Sequence, residues 1–208
     1  MPTLAVKEVG HRYGTLLLFR RLSFSMEGGE SLAVTGANGA GKSTLLRILA
    51  GVLAPKAGAV TLTVDGAPIG EEAHPLRTGL VAPALGLYGA LTARENVAFL
   101  AEARRLSDAE ARINAVLTRV EIAGRADDPV STFSSGMRQR VKYATALLAD
   151  PPLLLLDEPA ANLDAPGRAM VDRVVEEQLC DGGMVVVATN RADEAERHAR
   201  SLRIEDHR

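Results

Sequence analysis

Gly36-Ala37-Asn38-Gly39-Ala40-Gly41-Lys42-Ser43 is the stretch on which the reading of this chain turns. It fits the spacing G-x-x-x-x-G-K-[ST] with nothing forced. A short apolar run, Ser31 to Thr35, leads into it, and Leu45, Leu46, Ile48 and Leu49 follow at helical spacing. Strand, glycine loop and helix in that order begin an α/β unit. The residue types suit one task. Glycines let successive backbone N–H groups converge on phosphate oxygens without side-chain clashes. The N-terminus of the next helix adds its positive end. Lys42 is expected to reach the outer phosphates and Ser43 to offer its hydroxyl to Mg²⁺, with Thr44 completing the run.

Around this motif the composition is that of an ordinary globular protein. Of 208 residues, 47% are hydrophobic and 24% charged, which excludes disordered, collagen-like and coiled-coil classes. Twenty-four Lys and Arg stand against 26 Asp and Glu, a formal charge of −2. A chain so balanced has no general attraction for nucleic acid, and none is expected as a partner. Cys180 is the single cysteine, so no intrachain disulfide can form. The longest apolar runs, Leu153 to Leu156 and Met184 to Ala188, fall far short of the roughly 18 residues that span a bilayer. Met1 to Gly10 reads as no signal peptide, because Lys7 and Glu8 interrupt its apolar run.

Along the chain the pattern changes twice. The first third reads as strands: Leu4, Val6 and Val9, then Leu22, Phe24 and Met26 before Gly28-Gly29, then Val60 to Val64 ending at the Asp65-Gly66 turn. The middle third is helical. Thr92-Ala93-Arg94-Glu95 and Ser107-Asp108-Ala109-Glu110 both read as capping boxes. Val97, Leu100, Ala101, Ile113, Val116, Leu117 and Val120 recur at three- and four-residue steps. The last third returns to α/β, with a helix over about Ser135 to Ala149, a strand over Leu153 to Leu156, a helix over about Ala169 to Leu179 and a strand over Met184 to Thr189. The expectation is a single domain over 1–208. Residues 1–83 and 152–208 would form the core and a β subdomain, and 84–151 an inserted helical subdomain.

A second motif completes the first. Leu153 to Leu156 make a buried strand, and Asp157-Glu158 sit at its C-terminal end, where parallel α/β sheets bind ligands. Asp157 is expected to hold Mg²⁺, and Glu158 to orient the attacking water and take its proton. Between the two motifs, Phe133-Ser134-Ser135-Gly136-Met137 precedes the helix that leads to the second. In that place it is similar to the "LSGGQ" signature, and the whole chain from Leu4 to about Ile204 resembles an ATP-binding subunit of an ABC transporter.

The resemblance implies a P-loop (RecA-like) α/β core, with an antiparallel β subdomain and an inserted helical signature subdomain. It implies ATP and Mg²⁺ as cofactors and Gly36 through Thr44 as the phosphate site. Tyr13, in His11-Arg12-Tyr13-Gly14, matches the aromatic residue that stacks on adenine. Ser135 and Gly136 match the residues that reach the partner's ATP across a head-to-tail dimer, homodimer or heterodimer. Ala161-Asn162-Leu163-Asp164 matches the loop through which the two sites communicate, although Asp164 ahead of Pro166 also suits a helix start. Docking on a separate membrane permease is implied too, beside Ala84-Leu85-Gly86-Leu87-Tyr88-Gly89. The place implied is cytoplasmic and peripheral, on the inner face of the cell membrane. Arg138, Arg140 and Lys142 make no single helix face at steps of two and four.

Two positions depart from the family pattern. Pro83 stands where a glutamine normally contacts Mg²⁺, and Asn190 where a histidine normally bridges the γ-phosphate and the water. An amide can donate to a phosphate oxygen but cannot carry a proton. Slower hydrolysis with binding retained is the consequence expected. The compact layout around Leu18 to Phe24 resembles heme-exporter subunits of cytochrome c biogenesis, while "SSGM-x-Q-R" also occurs in drug- and polysaccharide-exporter subunits. A weakly catalytic regulatory subunit and a non-transport ABC ATPase are the alternatives. Pro83 and Asn190 favour the first, against which Glu158 argues. The second usually carries tandem cassettes or long coiled-coil inserts.

Overall fold

The computed structural model describes residues 1–161 and 163–208. Asn162, within the loop matched above to communication between sites, lies outside the described residues. In chain order the elements are β1 (Thr3–Tyr13), β2 (Leu16–Glu27), β3 (Ser31–Thr35), α1 (Lys42–Leu49), β4 (Ala57–Val64), β5 (Ala67–Pro68) and β6 (Thr78–Val81). There follow α2 (Ala93–Ala103), α3 (Ala109–Arg119), α4 (Ser135–Leu147), β7 (Leu153–Asp157), α5 (Ala165–Cys180), β8 (Met184–Ala188), α6 (Ala192–Ala195) and β9 (Arg200–Arg203).

Two sheets organise them. One is antiparallel in the order β2-β1-β4-β5, and the other is parallel in the order β6-β7-β8-β3-β9. The parallel sheet explains the unbroken apolar runs. Every residue of β7 and β8 is buried, as a strand covered on both faces requires. Successive side chains then serve different cores. Leu153, Leu155, Met184 and Val186 pack with α1 and the antiparallel sheet through Leu45, Leu46, Leu4 and Leu62. Leu154, Leu156, Val185 and Val187 pack on the other side with the helical segments through Val97, Leu117, Val141 and Val174.

Several boundaries follow local chemistry. Thr92 caps α2 as expected: its hydroxyl accepts from the Glu95 N–H at 3.1 Å, and the Glu95 carboxylate accepts from the Thr92 N–H at 2.8 Å. The second expected capping box does not form. The chain leaves α2 through left-handed Arg105 and enters α3 through left-handed Asp108, which stands at the N-cap without a side-chain cap bond. Ser107 is thereby left outside the helix, one residue too early to cap it.

Helix α5 begins at Ala165, four residues before the apolar spacing suggested, because Asp164 caps it by accepting from the Gly167 N–H at 2.8 Å. Its structural role is thus visible in the structure. Strands β1 and β2 run longer than their apolar alternation, carried through polar residues by their mutual pairing from Thr3↔Glu27 to Tyr13↔Leu16. Among the described residues, no helix is long and apolar enough to cross a membrane.

Candidate active site

The strand order sets the site. β8 lies between β3 and β7, so the loops leaving all three strands meet at their C-terminal ends. The glycine loop follows β3, Asp157 and Glu158 end β7, and Asn190 follows β8. Register keeps them aligned: Val34 and Asp157 both pair with Ala188. Thr189 N–H donates to the Val34 carbonyl at 3.1 Å, and Glu158 N–H donates to the Ala188 carbonyl at 2.9 Å.

The glycine loop turns into α1 through Gly41, whose φ of 114° is open to glycine and costly for other residues. A Cβ there would also stand 3.2 Å from Leu18 Cβ and 3.3 Å from the Phe19 ring. Buried Ala40 anchors the loop from below. Lys42 is buried, and its ammonium donates to the carbonyls of Gly36 at 2.7 Å and Ala37 at 3.3 Å. On the opposite edge of the Gly36–Ala37 peptide, the Ala37 N–H donates to Glu205 Oε1 at 2.6 Å. That peptide plane is therefore gripped from both edges. The Ala37 N–H holds the Glu205 carboxyl below the usual range, with Glu205's own N–H and Arg203 assisting. A Cβ on Gly36 would lie 2.6 Å from Glu205 Oε2, so the grip requires glycine there.

A cavity of about 460 Å³ opens above the loop. Asn38, Gly39, Gly41, Lys42, Ser43 and Thr44 line it from the loop and α1, Asp157 and Glu158 from the end of β7, Tyr13, Leu16 and Leu18 from β1 and β2, and Pro83 from the end of β6. Tyr13 is 50% exposed at the end of β1, with its ring backed edge-on by His11 at a centroid distance of 4.9 Å. His11 is buried with both ring nitrogens unpartnered among the described residues. Burial, and then the charge of Lys56, holds its imidazole below the usual value and so neutral.

Glu158 takes a left-handed backbone conformation, φ 50°, as Arg105 and Asp108 do where the chain turns between α2 and α3. Burial raises its carboxyl above the ordinary carboxylate value. Lys42 opposes the rise, Glu194 and Asp157 add to it, and a backbone bond from Asn190 opposes it. The Asn190 side-chain amide donates to Asn38 Oδ1 at 3.3 Å. Asn190 itself lines an adjoining cavity with Thr35 and Arg191.

Ser135 opens α4, with Gly136 behind it. The N-cap is Ser134, which accepts from the Met137 N–H at 3.2 Å and leaves Ser135 free of that duty. Ser135 lines a second cavity, about 370 Å³, together with Pro83 and Glu158. The signature and the second carboxylate motif thus face a common space. Hard oxygen donors, the Ser43 hydroxyl and the Asp157 carboxylate, line the first cavity and suit Mg²⁺. No group of three or more His, Cys, Asp or Glu gathers among the described residues.

Sequence reasoning missed Glu205 and His11. Both act through contacts that no motif records, Glu205 across 168 positions of chain. It also separated Arg138 from Lys142. Four residues apart, they lie on one helix face and line the same cavity.

A glycine loop between strand and helix, facing an acidic pair across one cleft, defines a P-loop nucleotide-binding protein. Comparison with known proteins narrows this. Residues 19–161 match the ABC transporter family. The cytochrome c biogenesis ATP-binding export protein CcmA of Pseudomonas putida is 39% identical over 84% of this chain and 82% of its own length. A solved ATP-binding subunit of an ABC transporter superposes with a TM-score of 0.82 at 30% identity, covering 94% of this chain and 82% of that one. A dimeric ATP-binding cassette, bound to ADP and Pi in a post-hydrolysis state, gives 0.82 at 26% identity, covering 96% and 93%. The chain belongs to the ABC transporter family and is one of its ATP-binding subunits.

Proposed function

We propose that this chain hydrolyses ATP to energise export through a separate membrane permease. The observation that carries the reading is the convergence of Lys42, Ser43, Asp157 and Glu158 on one cavity. Gly36 through Thr44 hold the phosphates, Lys42 their outer charge, and Tyr13 the adenine. Ser43 and Asp157 hold Mg²⁺, which supplies neutralisation of the phosphate charge. Glu158 orients the attacking water and accepts its proton, a role suited by a carboxyl that burial makes more basic. Asn190 donates to phosphate but carries no proton, and Pro83 offers no side-chain donor, so turnover is slower than in a site with glutamine and histidine there.

Ser135 and Gly136 approach the nucleotide of a second subunit in a head-to-tail dimer. Their place at the start of α4, beside Glu158, and the dimeric cassette among the structural relatives support this. Residues 84–151 act as the helical subdomain that carries them. The permease seats on an apolar groove of about 350 Å³ that includes Leu85, Leu87, Tyr88 and Phe99. The groove is shaped by buried Asn96. Its side-chain oxygen accepts from the Tyr88 N–H at 2.8 Å, and its NH₂ donates to the Tyr88 and Thr92 carbonyls. The chain then works at the inner face of the membrane. The export named for the relative from Pseudomonas putida supports the direction, while the cargo's route lies in the permease.

Phosphate release by the purified chain tests the reading; none at ATP concentrations that saturate binding would overturn it. The adenine contact is testable separately. Tyr13→Ala is expected to weaken ATP binding about tenfold, and Tyr13→Phe to leave it unchanged, since the ring face does the stacking. Equal affinities for all three chains, measured by calorimetry, would remove Tyr13 from the site.

A further inference from the structure

Of the three cations on α4, Arg138 and Arg140 are used locally: Arg138 donates to the Phe133 carbonyl, and Arg140 to Glu121 and the Val120 carbonyl. Lys142 is used differently. Its ammonium crosses to the end of β6 and donates to the carbonyls of Ala82 at 3.2 Å and Pro83 at 2.9 Å. Burial pushes it below the usual lysine value, and among the described residues no charged neighbour offsets that shift. A partly buried ammonium shared between two carbonyls tethers the backbone carrying them. Pro83 has no N–H, so the corner is held by one turn bond of its own, Leu85 N–H to the Ala82 carbonyl at 3.1 Å, and by the Lys142 ammonium from outside.

The corner lies between three cavities. Pro83 lines the phosphate cavity with Lys42 and Glu158. Pro83 and Lys142 both line the second cavity, again with Glu158. Lys142 also lines the apolar groove with Leu85 and Tyr88. The 82–88 segment therefore has nucleotide machinery on one side and the groove on the other, with the Lys142 ammonium fixing it at the join.

We propose that Lys142 is a positioning residue for ATP hydrolysis, fixing the 82–88 segment beside Glu158 through its bonds to the Ala82 and Pro83 carbonyls. This rests on the reading of the phosphate cavity as an ATP-hydrolysing site. Of this segment only Pro83 lines the phosphate cavity, and it has no donor to offer a phosphate, so loss of the ammonium affects turnover and leaves affinity intact.

The test uses the full chain, with ATP as ligand, in wild type, Lys142→Met and Lys142→Arg. Lys142→Met, of similar length without a donor, is expected to lower kcat about tenfold with ATP affinity unchanged within twofold. Amide exchange is expected to accelerate about tenfold at Leu85, whose N–H donates to the Ala82 carbonyl, and not in α1. Lys142→Arg is expected to restore both to within threefold, because it keeps the charged donor. If Lys142→Met fails to fold, Lys142→Gln, which keeps an N–H donor, is expected to give intermediate values. Wild-type kcat and exchange in the donor-free chain would overturn the proposal, as would a failure of Arg to rescue. A wild-type chain that binds ATP without turnover would instead sink the reading on which the proposal rests.

Discussion

Glu158→Gln is expected to bind ATP as wild type does and to release phosphate about 10²- to 10⁴-fold more slowly. The amide matches the carboxylate in shape and still accepts a hydrogen bond, but it cannot take the proton of an attacking water. Affinity is preserved because the groups expected to hold the phosphates, Lys42, Ser43 and the glycine loop's N–H groups, are unchanged in the variant. The pH dependence has a definite sign. The base acts only when ionised, and burial raises its carboxyl above the ordinary value. Activity must therefore be full at high pH and fall, as pH drops, before an ordinary carboxylate would protonate. Single-turnover phosphate release across pH, paired with ATP binding by calorimetry, checks both. An acid limb at or below the ordinary carboxylate value, or a glutamine variant with wild-type turnover, would take the base role from Glu158.

Lys42→Met is expected to act on binding, weakening ATP affinity about a hundredfold, which corresponds to about 3 kcal/mol of charge-assisted hydrogen bonds. In this structure the Lys42 ammonium is buried against the loop's own carbonyls at Gly36 and Ala37, an arrangement that keeps it inside the cleft. Phosphate oxygens offer better acceptors, and the ammonium has only to swing from one set to the other. Methionine fills the space and donates nothing. Arginine is no rescue, because a planar fork cannot replace a point charge at the base of this loop. The other grip, from Glu205 on the Ala37 N–H, remains in either variant. Loss of affinity with an unchanged thermal unfolding midpoint separates the charge effect from a collapsed loop. Affinity within a few-fold of wild type would contradict the assignment.

The parts legible in sequence were those held by local rules. The glycine loop and the strand before Asp157 read directly, because φ-tolerant glycines and a doubly buried strand each leave a short, contiguous mark. The capping box at Thr92 read correctly for the same reason. The one expected at Ser107 failed because capping depends on where the preceding turn delivers the chain, and left-handed Arg105 and Asp108 shift that by one residue. Strand β9 and helix α6 were not read at all. Each spans four residues, and β9 is largely exposed, so they carry no periodicity to find. Glu205 and Lys142 were hidden for another reason: their partners, Ala37 and the Ala82–Pro83 carbonyls, lie across the fold, and such pairings leave no spacing in the chain. His11, two residues before Tyr13 in β1, had a legible spacing but no motif that marks it.

The central claim is the proposal that this chain turns over ATP, slowly, with Asn190 offering a donor but no proton carrier at the site. Steady-state phosphate release by the purified chain at saturating ATP, with magnesium present and then chelated, tests it most directly when Asn190→His is run beside wild type. The expected result is magnesium-dependent release by wild type, raised about tenfold or more in Asn190→His with ATP affinity unchanged. Saturated binding with no release by either chain would contradict the account, and leave a nucleotide-binding subunit whose chemistry must come from a partner.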